Sequence, residues 1–537
     1  MSKLVRSHWW SVFFVLFFPL LIMYIYSDFI RSSELNARFG WLILLGGLAY
    51  LFRHTVLQKV LLGVIFLFVV SGSLDILYAV TFGGVFVSAT FEAMALTDKH
   101  EALEFLQAYA SIVNVGILFI YWVIAYYSLK RILFKEAELT REKVFAGLGV
   151  LMLFVAVQQI HERGRTFDVL PGFSGVAIDY MDSHKSIDKV IANRVALYKN
   201  SPFKASLKST APQTYVVVVG ESLGRNHMAL YGYDRATTPN LISLGSQAIV
   251  YKNTISAFAQ TTPSLSVNLT EKDTVNKKSL AESISLVGVF KRAGFKTFWL
   301  SNQQPLRVPT KPLATIADVQ HFISHDFHGV EANRYDGYLL PEIKKAIDDP
   351  AQHKVIFVHL MGSHLQYENR FPPEKMIFTG SKGVQAYTSE PSSSQLDYIN
   401  AYDSSVHYTD YVLGKIISDL KSVKGIAGMT FWSDHGEEVF DTKDFKGHGP
   451  DGVTTSMLEV PFVFWRNQAY EKAFPSVDKA LLSHTKTPIM LDDFFHIAQC
   501  MIPVKSDLMN QKKSLCLPEY QSKPRIVYGK DYDKGLK

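Results

Sequence analysis

The chain has 537 residues, enough for about three or four domains of ordinary size. Hydrophobic residues make up 48% and charged residues 19% of it, which excludes a disordered or low-complexity chain. The net charge is only +6, from 55 Lys and Arg against 49 Asp and Glu, and no long basic run occurs, so nucleic acid is not an expected partner.

Long apolar runs fill the first third of the sequence and stop after about residue 165. A bilayer core needs about 20 apolar helical residues. We therefore predict five membrane spans, at residues 9–26, 39–52, 60–74, 105–129 and 144–160. The first run is too long for a signal-peptide core and is expected to be retained. The second is short unless Arg38 and Arg53 reach the interfaces.

Basic residues collect in alternate loops, at 3–6, 53–59 and 130–143. The positive-inside rule makes that side cytoplasmic, and an odd number of spans then delivers the rest of the chain to the outside. That side is oxidising, which favours a disulfide between Cys500 and Cys516, with two buried thiols as the alternative.

The external segment 75–104 is apolar and contains glycine. We predict an amphipathic loop there, with a segment that dips back into the membrane as the alternative. Residues 181–210 are polar with near-helical apolar spacing and predict a bridging helix and linker. The expected domains are a membrane domain (1–165), a linker (166–210) and a soluble domain (211–537).

Apolar, β-branched runs recur through the soluble domain, at 215–219, 296–300, 354–360, 428–432 and 460–465. Helix-like segments such as 283–292 and 398–420 lie between them. This alternation predicts an α/β doubly wound sheet, which binds its ligands at the carboxyl ends of its strands. The fold class is thus an α-helical membrane domain followed by an α/β domain.

Polar residues with metal-binding or catalytic side chains stand at or just beyond these strand ends: Glu221, Asn302, His359, His364, Asp434 and His435. His448 follows His435 by 13 residues, in Gly-His-Gly. Carboxylates and histidines together suit zinc or manganese. An isolated Asp-His pair would more often be a hydrogen-bonded loop pair, but the convergence of the others favours a metal site.

The segment Thr261-Thr262-Pro263-Ser264 has the pattern of a helix start, with a hydroxyl at the cap and proline in the first turn. A threonine at this place can serve only as a cap. It can also be a nucleophile, because a metal lowers the pKa of a coordinated hydroxyl and a helix N-terminus favours an anion.

Several motifs in order resemble the phosphoethanolamine transferases of the alkaline phosphatase and sulfatase superfamily, which modify lipid A, lipopolysaccharide core or glucans. They are VVVVGESLGRNHMALYGYDRATTPNL (216–241), AQTTPSLS, VHLMGSHLQYENRFP (358–372), INAYDSSVHYTDYVL (399–413), WSDHGEEVF (432–440) and KGHGP (446–450). The resemblance implies a bacterial inner-membrane protein with five helices and a periplasmic, sulfatase-like catalytic domain.

Carried over to this sequence, the resemblance implies one firmly bound zinc ion, with a second left open. Its ligands would be Glu221, Thr261, Asp434 and His435, with Thr261 also the nucleophile and Thr262 the alternative. His364 and His448 would lie near the transferred phosphate. The expected substrate-binding residues are His359, Asn302 and Glu92, the last in the element SATFEA of the external loop.

The implied reaction transfers phosphoethanolamine from phosphatidylethanolamine to an envelope glycolipid or glycan, with lipid A or lipopolysaccharide core as the expected acceptor. It would pass through a phosphoethanolamine-threonine intermediate. Ala257 and Val267 replace cysteines that flank the nucleophile in many lipid A-modifying members, and Leu365-Gln366 replaces a Gly-Pro, so the chain departs from that branch.

Three rival functions remain. A phosphoglycerol transferase of the lipoteichoic acid type resembles the chain in topology. A membrane-anchored sulfatase or phosphodiesterase is a second rival, although the arginine of the sulfatase C/S-x-P-x-R motif is missing after Thr262-Pro263. A non-catalytic sensor is the third, and the intact ligand set argues against it.

Overall fold

The computed structural model describes residues 8–27, 32–52, 55–82, 111–134, 173, 187–276, 278–303, 310–323 and 335–536. The chain divides into two compact units, Met1–Lys185 and Ser186–Lys537. This division falls inside the segment 166–210 that the sequence analysis assigns to a linker.

Apolar helices make up most of the described part of the first unit: α1 (His8–Ser27), α2 (Ser32–Leu51), α3 (Val56–Phe82) and α4 (Ile112–Phe134). Among the described helices, Val56–Phe82 and Ile112–Ile132 have the length and hydropathy of a membrane span, while the apolar stretches Trp10–Tyr26 and Arg38–Ala49 are shorter. Each of the first four predicted spans therefore overlaps a helix, while residues 105–110 of the fourth and the whole fifth span, at 144–160, lie outside the described residues.

The charged residue Asp75 does not lie where the sequence predicts it. Asp75, expected in an external loop, lies within α3 and is 2% exposed, and Arg38 in α2 is also 2% exposed. An Arg38 guanidinium nitrogen lies 3.0 Å from the Asp75 carboxylate. Because pairing lowers the cost of burying either charge, the helix continues past the acidic residue. The loop prediction is thus wrong for residues 75–82, and the rest of the loop, Glu92 included, lies outside the described residues.

The second unit begins with α5 (Ile187–Asn200), which confirms the helix in the predicted bridging segment. Its Arg194 is 2% exposed and donates hydrogen bonds to the carbonyl oxygens of Leu280, Ser283 and Pro312. This bonding satisfies a buried guanidinium and fixes the helix to the body of the unit.

A seven-stranded sheet forms the centre of the second unit. Its strands are β1 (Gln213–Gly220), β2 (Ala248–Val250), β3 (Lys296–Ser301), β4 (Val319–Phe322), β5 (His353–His359), β6 (Ile426–Ser433) and β7 (Phe462–Arg466). They lie in the order β2-β7-β6-β1-β5-β3-β4. The five strands from β6 to β4 in this order run parallel to one another. At the other edge, β7 pairs antiparallel with both β6 and β2. All five predicted strands are present.

Every residue of β1 is buried, because both faces of the sheet are covered. Tyr215, Val217 and Val219 face one core, which includes residues of α6 (Thr261–Asn268), α7 (Leu286–Ala293) and, towards the carboxyl end of the chain, Phe494–Met501. Val216 and Val218 face the other core, with residues of α8 (Leu340–Ile347) and α9 (Ser393–Lys421). The helix Phe494–Met501, which belongs to the first core, is α10. The alternation of two apolar faces gives the doubly wound arrangement that the sequence predicts.

Shorter elements connect and close these layers. The helices are Pro239–Ser243, Thr310–Ala314, Gln468–Ala473 and Pro475–Ser483. Four two-stranded pairs are Ala205–Leu207 with Val504–Ser506, Thr254–Ile255 with Ile489–Met490, Glu438–Val439 with Lys446–Gly447, and Ile526–Val527 with Lys530–Asp531.

The carboxyl ends of the central strands meet at one edge of the sheet. Val219 in β1 pairs with Trp432 in β6 and with His359 in β5, and His359 pairs with Ser301 in β3. The residues that follow these strands therefore start from the same level, which is the place where open α/β sheets bind ligands.

Candidate metal centre and active site

Two carboxylates and an imidazole converge at the ends of β1 and β6. Glu221, Asp434 and His435 are each at most 1% exposed. His435 Nε2 lies 3.3 Å from Glu221 Oε1 and 3.5 Å from Asp434 Oδ2. One ligand atom from each residue lies within 4.8 Å of the others, the spacing of groups that can share a metal ion.

The hydroxyl of Thr261 lies beside this cluster. Its Oγ1 is 3.1 Å from Glu221 Oε2 and 3.4 Å from His435 Nε2. Thr261 is the first residue of α6, and the residue before it, Gln260, occupies the cap position. The predicted helix start is therefore confirmed, and the alternative in which Thr261 serves only as the cap does not hold, because its side chain turns to the cluster.

Charges within the cluster act strongly on one another. Burial would raise the pKa of Glu221, but the hydrogen bond and charge of His435 hold it well below its usual range. Burial and the Glu221 charge raise the pKa of Asp434. Burial would lower the pKa of His435, yet Asp434 and Glu221 raise it to about 10. The raised pKa means that, without a metal, a proton on His435 supplies the positive charge that offsets the buried carboxylates. A bound cation would take over that role.

The donor set fits a zinc ion. Asp434 Oδ2 is buried without a hydrogen-bond partner among the residues that the structure describes, whereas Oδ1 accepts from the backbone N–H groups of Ser222 and His435. A buried carboxylate oxygen that is not hydrogen-bonded is costly unless a ligand occupies it. Two carboxylates, one imidazole and a hydroxyl form a mixed oxygen and nitrogen set of the kind that zinc accepts.

Glu437 is a buried residue of the site that the sequence analysis missed. Its Oε2 lies 2.6 Å from His448 Nδ1, and its Oε1 accepts a hydrogen bond from the Tyr367 hydroxyl at 2.9 Å. The rings of His448 and His435 have their centroids 4.0 Å apart. His435, Glu437 and His448 form a second group with metal-ligand spacing. Glu437 stands two residues after His435 in the sequence, and this spacing is the signal that could have indicated it.

His364 belongs to the loop after β5. Its Nδ1 donates to the carbonyl oxygen of Leu365 at 2.8 Å, and a positive charge on its ring would lower the pKa of Glu221. The neighbouring Ser363 donates its backbone N–H to the Glu221 carbonyl oxygen at 2.9 Å. The structure thus brings His364 and His448 to the surroundings of the cluster from two different loops.

Asn302 and His359, the predicted substrate-binding residues of the second unit, are both buried. Asn302 is 0% exposed and donates to Asp336 Oδ1 at 2.8 Å. His359 is 1% exposed and packs edge-on against Trp299. Gln303, which the sequence analysis missed, contacts the cluster itself, because its Nε2 lies 2.9 Å from Glu221 Oε2.

The predicted disulfide pair, Cys500 and Cys516, follows the residues of the cluster in the sequence. Cys500, in α10, is bonded to Cys516, and their Cα atoms are 5.9 Å apart, within the range that a disulfide spans.

A family model described as Sulfatase matches residues 213–498 of the chain. Phosphoethanolamine transferase EptC of Escherichia coli K12 is 27% identical over 561 aligned positions, covering 98% of this chain and 94% of EptC. Phosphoethanolamine transferase CptA of Salmonella typhimurium is 28% identical and covers 85% of this chain and 82% of its own. These matches confirm the resemblance that the motifs indicate, and with it the transferase class.

Two solved structures resemble the chain. The periplasmic domain of EptC from Escherichia coli, crystallised in complex with Zn, is 28% identical with a TM-score of 0.57 and covers 62% of this chain and 96% of its own. The integral membrane phosphoethanolamine transferase EptA of Neisseria meningitidis has a TM-score of 0.66 at 18% identity, covering 94% of this chain and 97% of its own. The second match extends the fold likeness to the first unit.

Proposed function

The chain belongs to the sulfatase family and is a transferase, and from this premise we propose that it transfers phosphoethanolamine from phosphatidylethanolamine to an envelope glycolipid or glycan. The group would pass through a covalent intermediate on Thr261. The names of relatives that match nearly the whole chain support the transferred group.

The observation that carries this proposal is the contact of Thr261 with the cluster. Its hydroxyl lies 3.1 Å from Glu221 Oε2, at the N-terminus of a helix. Helix N-termini favour anions, so a phosphate group that approaches Thr261 meets a favourable field. A binding protein would need the anion site but not a hydroxyl at the metal ligands.

In the proposed first step, Thr261 Oγ1 gives up its proton to solvent and bonds to the phosphorus of the donor, while the bond from phosphorus to the diacylglycerol oxygen breaks and that oxygen takes up a proton. In the second step the acceptor hydroxyl oxygen bonds to phosphorus and gives up its proton, and the bond from phosphorus to Thr261 Oγ1 breaks, with Oγ1 taking up a proton. Glu221, Asp434, His435 and Thr261 would hold the zinc ion, which when bound lowers the pKa of a hydroxyl and offsets developing negative charge. Glu221 Oε2 accepts the Thr261 hydrogen bond, which fixes the direction of the Thr261 O–H bond and leaves a lone pair of Oγ1 for attack.

His364 and His448 are the proposed partners of the phosphate and leaving oxygens. Both use Nδ1 as a donor, to the Leu365 carbonyl oxygen and to the Glu437 carboxylate. The Glu437 carboxylate fixes the orientation of the His448 ring, so that its Nε2 is presented for a second interaction. In the proposed mechanism, His448 is the residue that gives a proton to the departing diacylglycerol oxygen.

A membrane location suits the proposed donor, which is an insoluble lipid. We propose that the chain crosses the bacterial inner membrane five times and carries its catalytic domain in the periplasm. The proposed limits are 1–165 for the membrane domain, 166–210 for the linker and 211–537 for the catalytic domain. The apolar helices of the first unit and the likeness to membrane-embedded EptA support this arrangement. Glu92 stays a proposed headgroup contact, and His359 a proposed substrate-site residue.

The proposal is tested by supplying the purified full chain, in detergent and zinc, with phosphatidylethanolamine labelled in the ethanolamine headgroup. Lipid A, lipopolysaccharide core and a glucan are offered in parallel, and products are identified by mass spectrometry. Label on one acceptor, absent with Thr261→Ala protein, is the expected result. Release of free phosphoethanolamine with every acceptor unmodified would indicate a hydrolase. Transfer only from phosphatidylglycerol would indicate the phosphoglycerol class.

A further inference from the structure

Asp336 is a buried carboxylate that lies outside every motif of the sequence. It is 2% exposed and accepts three hydrogen bonds, each of 2.8 Å. Its Oδ1 accepts from the side-chain amide of Asn302 and from the backbone N–H of Met361, and its Oδ2 accepts from the backbone N–H of Gly362. One side chain thus joins the segment after β3 to the segment after β5.

Both of these segments contact Glu221. Gln303, which follows Asn302, donates its amide to Glu221 Oε2 at 2.9 Å and to the Leu360 carbonyl oxygen at 3.1 Å. Ser363, which follows Gly362, donates its backbone N–H to the Glu221 carbonyl oxygen at 2.9 Å. The donors that Asp336 holds are therefore one residue away from the donors that hold Glu221.

The loop after β5 lies directly against the Glu221 backbone. Gly362 has φ of +55°, and a Cβ added there would lie 2.6 Å from the carbonyl oxygen and 2.8 Å from the nitrogen of Glu221. Only glycine fits this combination of dihedral angle and distance. A small displacement of the loop would consequently move the contacts on Glu221 and, two residues further on, His364.

We propose that Asp336 is a positioning residue of the metal centre, which fixes Glu221 through Asn302-Gln303 on one side and Met361-Gly362-Ser363 on the other. Asn302 then acts through Asp336 and not by contact with the substrate. The part of this inference that concerns transfer rests on the proposed function; the part that concerns zinc does not.

The physical reason is that a metal site needs its ligands held before the metal arrives. Partners that orient ligands typically change metal affinity by about 10-fold to 100-fold when they are removed. Burial raises the pKa of Asp336 above its ordinary value, and the hydrogen bonds of Asn302, Met361 and Gly362 oppose that rise. A carboxylate can accept all three bonds, but the amide of asparagine has only one accepting oxygen.

Asp410 offers a matched control within the same unit. It is 1% exposed and also accepts one side-chain amide and two backbone N–H groups, from Asn240 and Leu241 in the helix Pro239–Ser243. Burial raises its pKa as it does that of Asp336. Asp336→Asn and Asp410→Asn therefore remove similar bonding from similar depth, at two different places.

The experiment measures zinc affinity of the metal-free full chain in detergent by competition with a zinc chelator, together with thermal unfolding. We expect both variants to lower the unfolding temperature and only Asp336→Asn to weaken zinc binding, by about 10-fold or more. Amide hydrogen exchange on the same metal-free protein should become faster at Met361 and Gly362 in Asp336→Asn alone. Equal zinc affinity in the two variants would overturn the proposal.

Asn302→Ala provides a second variant if Asp336→Asn does not fold, because it leaves the two backbone bonds of Asp336 intact. A positioning role predicts weaker zinc binding and a lower kcat. A raised KM with unchanged zinc affinity would instead make Asn302 a substrate contact and overturn the assignment. Wild-type protein without transfer activity would contradict the proposed function, while the zinc measurements would still decide the role of Asp336.

Discussion

Thr261 Oγ1 lies 3.1 Å from Glu221 Oε2, although 40 residues of chain separate them. The first parallel strand ends just before Glu221, and helix α6 begins with Thr261, so the fold joins a strand-end carboxylate to a helix-start hydroxyl. A hydroxyl in this position is not needed to cap the helix, where Gln260 occupies the cap position. The contact makes Thr261 a part of the metal centre's surroundings.

Removing a carboxylate of the cluster should remove the metal. We expect Asp434→Ala protein, purified as the full chain, to lose most of its bound zinc and transfer activity, because a buried ligand is lost. Elemental analysis of metal per chain is the measurement. Asp410→Asn, which changes a buried carboxylate elsewhere, should keep its zinc. Full zinc occupancy in Asp434→Ala would show that the metal binds at another place.

His227 should make the stability of the protein depend on pH. Its Nδ1 lies 2.6 Å from Asp403 Oδ1 and its Nε2 lies 3.0 Å from Asp441 Oδ1. Burial would lower the pKa of His227, but Asp441 and Asp403 raise it from 6.5 to about 10. The stabilisation is therefore fully present below pH 6.5 and is lost as the pH rises through about 10.

The corresponding experiment follows thermal unfolding of the full chain from pH 6 to 10, for wild type and for His227→Gln. At pH 6 the variant should be destabilised by about 3 to 5 kcal/mol, the usual cost of breaking a buried ion pair. The difference between the two proteins should shrink as the pH approaches 10. Parallel pH profiles for both proteins would contradict a protonated His227.

Reducing the bond between Cys500 and Cys516 should destabilise the catalytic unit. The two residues are 16 positions apart, and a loop of that size contributes roughly 3 kcal/mol by restricting the unfolded chain. When protein from the cell envelope is treated with an alkylating reagent before any reduction, both cysteines should remain unlabelled. Labelling of both cysteines under those conditions would show that they are thiols in the cell.

The proposed topology predicts an external carboxyl terminus. A periplasm-dependent reporter fused after Lys537 should be active, because the basic loops 3–6, 53–59 and 130–143 alternate with the others. A matched fusion at residue 135, in a basic loop, should be inactive with that reporter. The opposite pattern would reverse the orientation.

The strands of the catalytic unit could be predicted from sequence because their apolar runs are buried on both faces of the sheet. Glu221 and Asp434 follow from the same reasoning, since each closes such a run. Asp336 could not be predicted in this way. It stands before α8 and outside a strand, and its partners Met361 and Gly362 are backbone groups 25 and 26 residues away.

The first unit shows the same limit. An acidic residue after an apolar run is typical of the end of a span, so the sequence predicts Asp75 in a loop. Its partner Arg38 lies 37 residues earlier, and only the fold brings the two side chains together. Local patterns therefore predict elements and their ends, while pairing between distant side chains depends on tertiary structure.

The measurement that tests the central claim is the location of the covalent intermediate. Wild-type full chain with zinc is incubated with headgroup-labelled phosphatidylethanolamine and no acceptor, then digested with trypsin. Lys252 and Lys272 bound a peptide that contains both Thr261 and Thr262, so fragmentation spectra must assign the modified residue. We predict a phosphoethanolamine group on Thr261, lost in Thr261→Ala protein that retains most of its zinc. A group on Thr262, or undiminished transfer by Thr261→Ala protein, would contradict the account.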